Sequence, residues 1–153
     1  MENEIQKRLT QLRELLRRER LSAYIFPSTD PHHSEYVADH WKGREWISGF
    51  DGSAGIAVVT LDKAALWTDS RYFLAAEAQL AGTEYELMKE KVAGTPSIAE
   101  WLGEVLRDAP WPEIGVDGMV NGYGMVEDLK REMRQRGGIT VRTNWEPLSI
   151  IWR

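Results

Sequence analysis

Residues 56–68 read IAVVTLDKAALWT, two short apolar runs separated by the polar pair Asp62 and Lys63. β-Branched and aromatic residues favour strands, and two such runs across a polar dipeptide are typical of a β-hairpin. The sequence therefore predicts antiparallel strands at 56–61 and 64–68. This hairpin decides the fold, because it introduces an antiparallel pair into a chain that otherwise alternates between helix and strand.

The segments before the hairpin predict helix, strand and helix in turn. Apolar residues recur at spacings of three and four across residues 4–18, which is typical of an amphipathic helix. The apolar run 23–26 is too short for a helix and is stopped by Pro27, so it predicts a strand. Helix formers mixed with tryptophan over 32–47 then lead into a turn-rich stretch at 48–55.

The segments after the hairpin continue this alternation. Helical spacing over 70–80 ends at Gly82, where a capping glycine belongs. Further helices are predicted from Ser97 and over 123–136, because each carries helical spacing between recognisable start and stop residues. The remaining predicted strands are 85–88, 114–116 and 139–142. Five helical segments and six strands predict an α/β fold, a six-stranded mixed sheet with helices on both faces.

The composition limits the class of protein. A chain of 153 residues fits one domain, and the lack of cysteine excludes disulfides, zinc–thiolate sites and thiol catalysis. The formal charge of −5 works against a nucleic-acid partner, since phosphate binding needs a clustered basic surface. No apolar run approaches the roughly 18 residues of a membrane span, and the acidic start is unlike a targeting signal. We expect a soluble cytoplasmic protein that binds neither nucleic acid nor membrane.

The histidines do not predict a metal site. His32, His33 and His40 all lie within nine residues, and no HExxH pattern is present. Capping and surface roles are favoured for them over metal binding.

The glycines and serine of the turn-rich stretch do not predict catalysis either. Gly49, Gly52 and Gly55 precede a strand with no Gly-Lys-Ser/Thr after them, so positive φ or close backbone approach is favoured over phosphate binding. Ser53 is not in a G-x-S-x-G elbow. We therefore predict no catalytic residue and no metal ligand in this chain.

Arg71 is the candidate ligand-binding residue. The stretch 67–73 takes a strand directly into a helix, and ligands of open α/β sheets gather at the carboxyl ends of strands. A cation in the first helical turn opposes the helix dipole, so its presence there needs a reason. Two interpretations remain open from the residues alone: Arg71 contacts a ligand, or it pairs with Asp69 or Asp51.

Six blocks of sequence carry a resemblance to a known family. They are Ala23–Ser28, Asp30–His32, Ser34–Tyr36, Arg44, Ser48–Gly55 and Trp67–Phe73. Over about residues 5–153 the chain resembles the amino-terminal domain of cytosolic-type Xaa-Pro aminopeptidases (aminopeptidase P), and more distantly creatinase and prolidase. The blocks GFDGSAG and WTDxRYF are specific to the first group, although Ser70 stands where relatives often have glycine.

The resemblance implies a function that the residues alone do not. Long members of the family carry two related α/β domains and then a pita-bread catalytic domain, in which two Asp, one His and two Glu bind two metal ions, usually manganese. They remove the first residue from peptides with proline second. Residues 1–153 would then be the non-catalytic amino-terminal domain of a longer multidomain metallopeptidase. This domain would hold no cofactor, shape access to the active site and contact the peptide through Arg71.

The tail Trp145–Arg153 predicts that the chain continues into further domains. It ends on apolar residues with no predicted element left to bury them, so we expect a longer chain and an apolar surface that drives self-association. The later domains of the same chain, and a second copy in a homodimer, are the expected partners. The alternative is a stand-alone peptide- or protein-binding module with a tryptophan-rich edge. A reading frame that continues past Arg153 would separate the two.

Overall fold

The computed structural model describes residues 4–27, 43–50, 55–116, 123–145 and 147–151. The predicted alternation of helices and strands is confirmed within these ranges, and the part of the predicted 32–47 helix before Gly43 lies outside them. The helices are α1 (Glu4–Glu19), α2 (Gly43–Ser48), α3 (Phe73–Leu80), α4 (Ile98–Val105), α5 (Tyr123–Gln135) and α6 (Leu148–Ile151). The strands are β1 (Ala23–Pro27), β2 (Ile56–Thr60), β3 (Ala64–Thr68), β4 (Glu86–Lys89), β5 (Glu113–Val116) and β6 (Thr140–Arg142).

The six strands form one mixed sheet in the order β4-β3-β2-β1-β5-β6. The β2–β3 hairpin is antiparallel, as predicted, and the β3–β4, β1–β5 and β5–β6 pairs are parallel. The sequence predicted one antiparallel pair, whereas the sheet has two, because β2 lies between β3 and β1 and runs against both. The predicted class, an α/β mixed sheet of six strands with helices on both faces, is confirmed.

The central strand β1 shows how both faces of the sheet are buried. Tyr24 and Phe26 pack in one apolar cluster with residues of α1, α2, α3 and α6. Ala23 and Ile25 point the other way and pack in a second cluster with residues of α4 and α5. Alternate residues of a strand face opposite sides, so a strand covered on both faces reads as a continuous apolar run.

Arg13 in α1 is a buried cation that fastens the helix to the hairpin. Its Nε donates to the Thr60 carbonyl oxygen at 2.8 Å, and its Nη2 donates to the Lys63 carbonyl oxygen at 3.0 Å. Nη1 and Nη2 each reach one carboxylate oxygen of Glu84 at 2.8 Å. The hydrogen bonds from Arg13 lower the pKa of Glu84 below its ordinary value, against the opposing effect of burial.

The carboxyl-terminal tail departs from its prediction. Trp145 meets the buried Tyr24 ring edge to face at 5.9 Å between centroids, and the Tyr24 hydroxyl donates to the Trp145 carbonyl oxygen at 2.8 Å. Ile151 of α6 packs against the same cluster. The expectation that no element buries the tail was wrong for these two residues: Trp145 packs on Tyr24, and α6 brings Ile151 against the same cluster, which leaves both partly buried. Ile150 stays 44% exposed; Trp152 and Arg153 lie outside the described residues, and self-association stays a prediction.

Among the helices that the structure describes, none combines the length and the apolar character needed to cross a lipid bilayer.

Gly115 in β5 is a position where a side chain does not fit. It lies opposite Tyr24 of β1, and a Cβ added there would be 2.6 Å from Tyr24 Cδ2 and 2.7 Å from Cε2. The Tyr24 ring is fully buried and held through its hydroxyl, so it has little room to move. We expect Gly115→Ala to lower the free energy of unfolding by about 2 kcal/mol, as overpacking of a core does, measured by urea denaturation.

Gly103→Ala is the matched control. It lies inside α4, where an added Cβ would meet Arg136 at 3.4 Å, an ordinary contact. Alanine favours a helix over glycine by up to about 1 kcal/mol, so this variant should be neutral or more stable. Equal urea midpoints for Gly115→Ala and the wild type would contradict the close packing of Tyr24.

Candidate functional site

The candidate site lies where β3 ends, at the edge of the sheet formed by the carboxyl ends of its parallel strands. Thr68 is the last, buried residue of β3, and Ser70–Tyr72 form a short 3-10 turn. Asp69 caps this turn, since its Oδ1 accepts from the Arg71 backbone N–H at 3.0 Å. The predicted helix 70–80 is therefore two elements, because Tyr72 has φ −117° and ψ 6° and interrupts the helix before α3.

Arg71 and Asp69 form a bidentate ion pair. Arg71 Nε donates to Asp69 Oδ1 at 3.1 Å, and Nη2 donates to Oδ2 at 2.9 Å. These contacts lower the pKa of the Asp69 carboxyl and raise the pKa of the Arg71 guanidinium. The side-chain hydrogen bond between the two residues is the largest cause of both shifts. The predicted pairing with Asp69 is confirmed; the one with Asp51 involves a residue outside the described ranges.

The Arg71 side chain is nevertheless available to a ligand. It is 68% exposed, whereas the Asp69 side chain is 31% exposed. The pair uses the Nε–Nη2 edge of the guanidinium, and Nη1 has no hydrogen bond to any residue that the structure describes. The site thus holds an oriented, largely exposed cation whose Nε–Nη2 edge is occupied and whose Nη1 is unpaired among the described residues.

A row of aromatic contacts supports this arginine from the core. The Arg71 guanidinium lies 5.1 Å from the centroid of the Tyr72 ring, and Tyr72 meets Phe50 edge to face at 6.1 Å. Phe50 is fully buried, with the buried Arg44 guanidinium 5.2 Å from its centroid. The sequence did not predict this row, because its members come from separate segments. The one sequence signal for it was that Phe50, Tyr72 and Arg44 all lie in the blocks that carry the family resemblance.

The glycines before β2 have conformational roles. Gly49 has φ +81°, a backbone conformation that residues other than glycine rarely adopt. A Cβ at Gly55 would lie 3.0 Å from the Phe50 ring and 3.1 Å from Arg44 Nη1, so this position needs close approach. Both outcomes confirm the prediction that these residues serve the backbone. Gly52 and Ser53 lie outside the described residues.

The adjacent end of β4 contributes a second cation. The Glu90 backbone N–H donates to the Thr68 carbonyl oxygen at 3.0 Å, which places the turn after β4 beside Asp69. Lys91 in that turn is exposed and has φ +67°, and its charge helps to lower the pKa of Asp69. Asp69 therefore stays ionised at neutral pH.

Metal-binding chemistry was also considered for the part of the chain that the structure describes. Within the ranges it describes, no three His, Asp or Glu side chains are grouped so that they could hold a metal ion. His32, His33 and His40 lie outside those ranges, so the expectation that they bind no metal stays a prediction.

The fold and this site define an α/β domain with a ligand-binding candidate at the carboxyl ends of its strands. Residues 8–142 match the family model described as the creatinase/prolidase N-terminal domain. The chain belongs to the creatinase/prolidase N-terminal domain family, which confirms the resemblance found in the sequence blocks.

Named relatives agree with this assignment. The chain is 53% identical over 147 residues to human Xaa-Pro aminopeptidase 2, covering 94% of this chain and 21% of that protein. Its fold matches the X-prolyl aminopeptidase of Caenorhabditis elegans, a cytosolic enzyme with a di-nuclear active site, with a TM-score of 0.82 at 32% identity, over 97% of this chain and 25% of that one.

A third relative shares the fold alone. The N-terminal domain of the cytoplasmic peptidase PepQ from Mycobacterium tuberculosis H37Rv has a TM-score of 0.61 at 19% identity. The match covers 90% of this chain and 93% of that one. This chain spans about a fifth of the length of the curated relatives it matches.

Proposed function

We propose that this chain is the amino-terminal, non-catalytic domain of a longer, metal-dependent Xaa-Pro aminopeptidase. The enzyme removes the first residue from peptides whose second residue is proline. The observation that carries the proposal is the likeness to Xaa-Pro aminopeptidases across nearly the whole of this chain but only about a fifth of theirs. Catalytic chemistry then belongs to the following domains of the same polypeptide.

Within that enzyme, this domain shapes access to the active site and supplies Arg71 to the peptide. Three properties of Arg71 support the role. Its side chain is exposed, it is held in a fixed orientation by Asp69 and Tyr72, and its Nη1 makes no hydrogen bond to any described residue. A guanidinium offers a planar set of donors to a peptide oxygen.

Among the described residues, no three carboxylates are grouped so that they could hold a metal ion. We assign the two divalent ions, usually manganese, to the following domains, in keeping with the di-nuclear active site of the C. elegans enzyme. We place the enzyme in the cytoplasm, as for the cytosolic C. elegans enzyme. A second copy of the chain is a further proposed partner, and nucleic acid and membrane are not.

The second candidate function is a stand-alone peptide- or protein-binding module. One observation favours it: Leu74, in the turn of helix after Arg71, is 84% exposed. An exposed leucine beside an exposed arginine suits a partner with an apolar and an acidic group. The same leucine also suits contact with a following domain of one polypeptide, so it does not separate the two candidates. The likeness to Xaa-Pro aminopeptidases then favours the enzyme.

The test is peptidase activity of the full-length protein. With manganese present, it should release the first residue of an Xaa-Pro-Xaa peptide and leave the matched Xaa-Ala-Xaa peptide intact. Purified residues 1–153 should cleave neither peptide and should bind no stoichiometric manganese. Turnover by the pure domain, or a stop codon directly after Arg153, would count against the proposal and favour the binding module.

A further inference from the structure

We infer that Asp69 is a specificity-determining residue, which makes Arg71 select a neutral peptide carbonyl over a free terminal carboxylate. The inference rests on the proposed function, in which Arg71 contacts the peptide. It adds the chemical class of the group bound there: an internal main-chain oxygen of an extended peptide.

The geometry of the ion pair gives the first step. Asp69 occupies the Nε–Nη2 edge of the guanidinium with both of its carboxylate oxygens. A peptide group must therefore approach Nη1 and the second N–H of Nη2. That edge has donors for either a carbonyl oxygen or a carboxylate, so the geometry fixes where the ligand binds and the charge of Asp69 decides which ligand is favoured. Turning the occupied edge towards a ligand would break both side-chain hydrogen bonds to Asp69 and move the guanidinium off the Tyr72 ring.

The charge of Asp69 gives the second step. Arg71 and Asp69 together are neutral, so an arriving carboxylate meets no net positive charge from the pair. It also meets a like charge on the far side of the same guanidinium, and like charges brought together at a binding site act against the ligand that carries the second one. A neutral carbonyl meets no such opposition and still receives a charge-assisted hydrogen bond.

The surroundings keep that charge in place. Arg71 and Lys91 both favour the ionised form of Asp69, and the Asp69 side chain is only about one-third exposed. Lys91, in the neighbouring turn, acts on Asp69 through its charge, and that charge is the same in the wild type and in Asp69→Asn, so it cancels when the two are compared. A charge on a partly covered side chain is less screened by water and salt than one on an open surface.

The experiment compares peptide acids with peptide amides in the full-length protein. The substrates are Xaa-Pro, Xaa-Pro-Xaa and a four-residue Xaa-Pro peptide, each with a free carboxylate and with a terminal amide. We expect the wild type to have a higher kcat/KM on the amide than on the acid at the peptide length that places the carboxyl terminus of the substrate at Arg71. Asp69→Asn keeps the size and the capping oxygen but removes the charge, so the acid-to-amide ratio should rise about 3- to 5-fold at that length.

Two variants make the result interpretable. Asp69→Glu retains the charge and should keep the ratio nearer to that of the wild type than Asp69→Asn does. Asp108→Asn makes the same change of charge after α4, at the opposite end of the sheet, and should leave the ratio unchanged at every length. A purely structural role of Asp69 would alter activity on acids and amides alike.

The outcomes separate this inference from the proposed function. An acid-to-amide ratio that stays the same in Asp69→Asn at all three lengths would overturn the role of Asp69, even if Arg71→Ala lowers kcat/KM. If Arg71→Ala leaves kcat/KM unchanged on all six substrates, the peptide-contacting role of Arg71 itself fails. A rise in the ratio confined to one peptide length supports the inference.

Discussion

Arg71→Ala in the full-length protein is expected to lower kcat/KM on an Xaa-Pro peptide about 10- to 150-fold, the range of one charge-assisted hydrogen bond made in the transition state. The melting temperature should stay close to that of the wild type. The Arg71–Asp69 pair lies at the surface, with the Arg71 side chain 68% exposed, and exposed pairs contribute little to stability. Steady-state kinetics and thermal unfolding on the same preparation measure both quantities.

The chain offers a close control in Arg107. Its side chain is 71% exposed and donates to Glu104 at 3.0 Å, so Arg107→Ala also removes one exposed, paired arginine, at the other end of the sheet. It should leave kcat/KM unchanged. Arg71→Lys should recover only part of the loss, because an ammonium lacks the planar fork. Normal kinetics with a lowered melting temperature for Arg71→Ala would show that the arginine serves only its pairing with Asp69.

Arg13→Ala is expected to lower the free energy of unfolding by about 3 kcal/mol, and the melting temperature by about 6 to 12 °C. The Arg13 side chain is 10% exposed and the Glu84 side chain 28% exposed. Removing the arginine leaves a partly buried carboxylate without its counter-ion and the Thr60 and Lys63 carbonyl oxygens without their donor. Urea and thermal unfolding measure the effect.

The pH dependence identifies the cause of that loss. The pKa of Glu84 is held below its ordinary value of 4.5, chiefly by the hydrogen bonds from Arg13. A carboxyl with a depressed folded-state pKa stabilises the fold above its unfolded pKa and loses that effect as the pH falls through the folded value. The gap between wild type and Arg13→Ala should therefore narrow below about pH 4.5. Arg17→Ala, one turn along α1 at an exposed position, should unfold like the wild type at every pH.

Most of the fold could be predicted because its signals are local. Short stretches of sequence were enough to predict the strands at 56–61 and 64–68 and the helix over 4–18. The second antiparallel pair could not be predicted, since nothing near β2 says that its free edge meets β1. The burial of the tail depends in the same way on Tyr24, which precedes Trp145 by most of the chain.

In the candidate site, too, contacts between residues close in sequence could be predicted, and contacts between distant residues could not. The pairing of Arg71 with Asp69 spans two residues, so it could be proposed from the sequence as one of two interpretations. The support from Phe50 and Arg44 spans more than twenty residues and became visible only in the structure. Lys91 was missed because an exposed lysine carries no pattern, and its positive φ has no sequence signal outside glycine.

The position of β1 also decides the order in which the chain can fold. β1 pairs on one side with β2, about thirty residues later, and on the other with β5, where Ala23 lies opposite Ile114. A chain emerging from the ribosome can therefore close the β1–β2–β3 meander early, but β1 keeps one unpaired apolar edge until residue 116 is available. Unpaired strand edges are aggregation templates, and pairing between distant residues is slow. In the nascent protein, that edge is therefore the part of the sheet most open to intermolecular pairing until β5 is made.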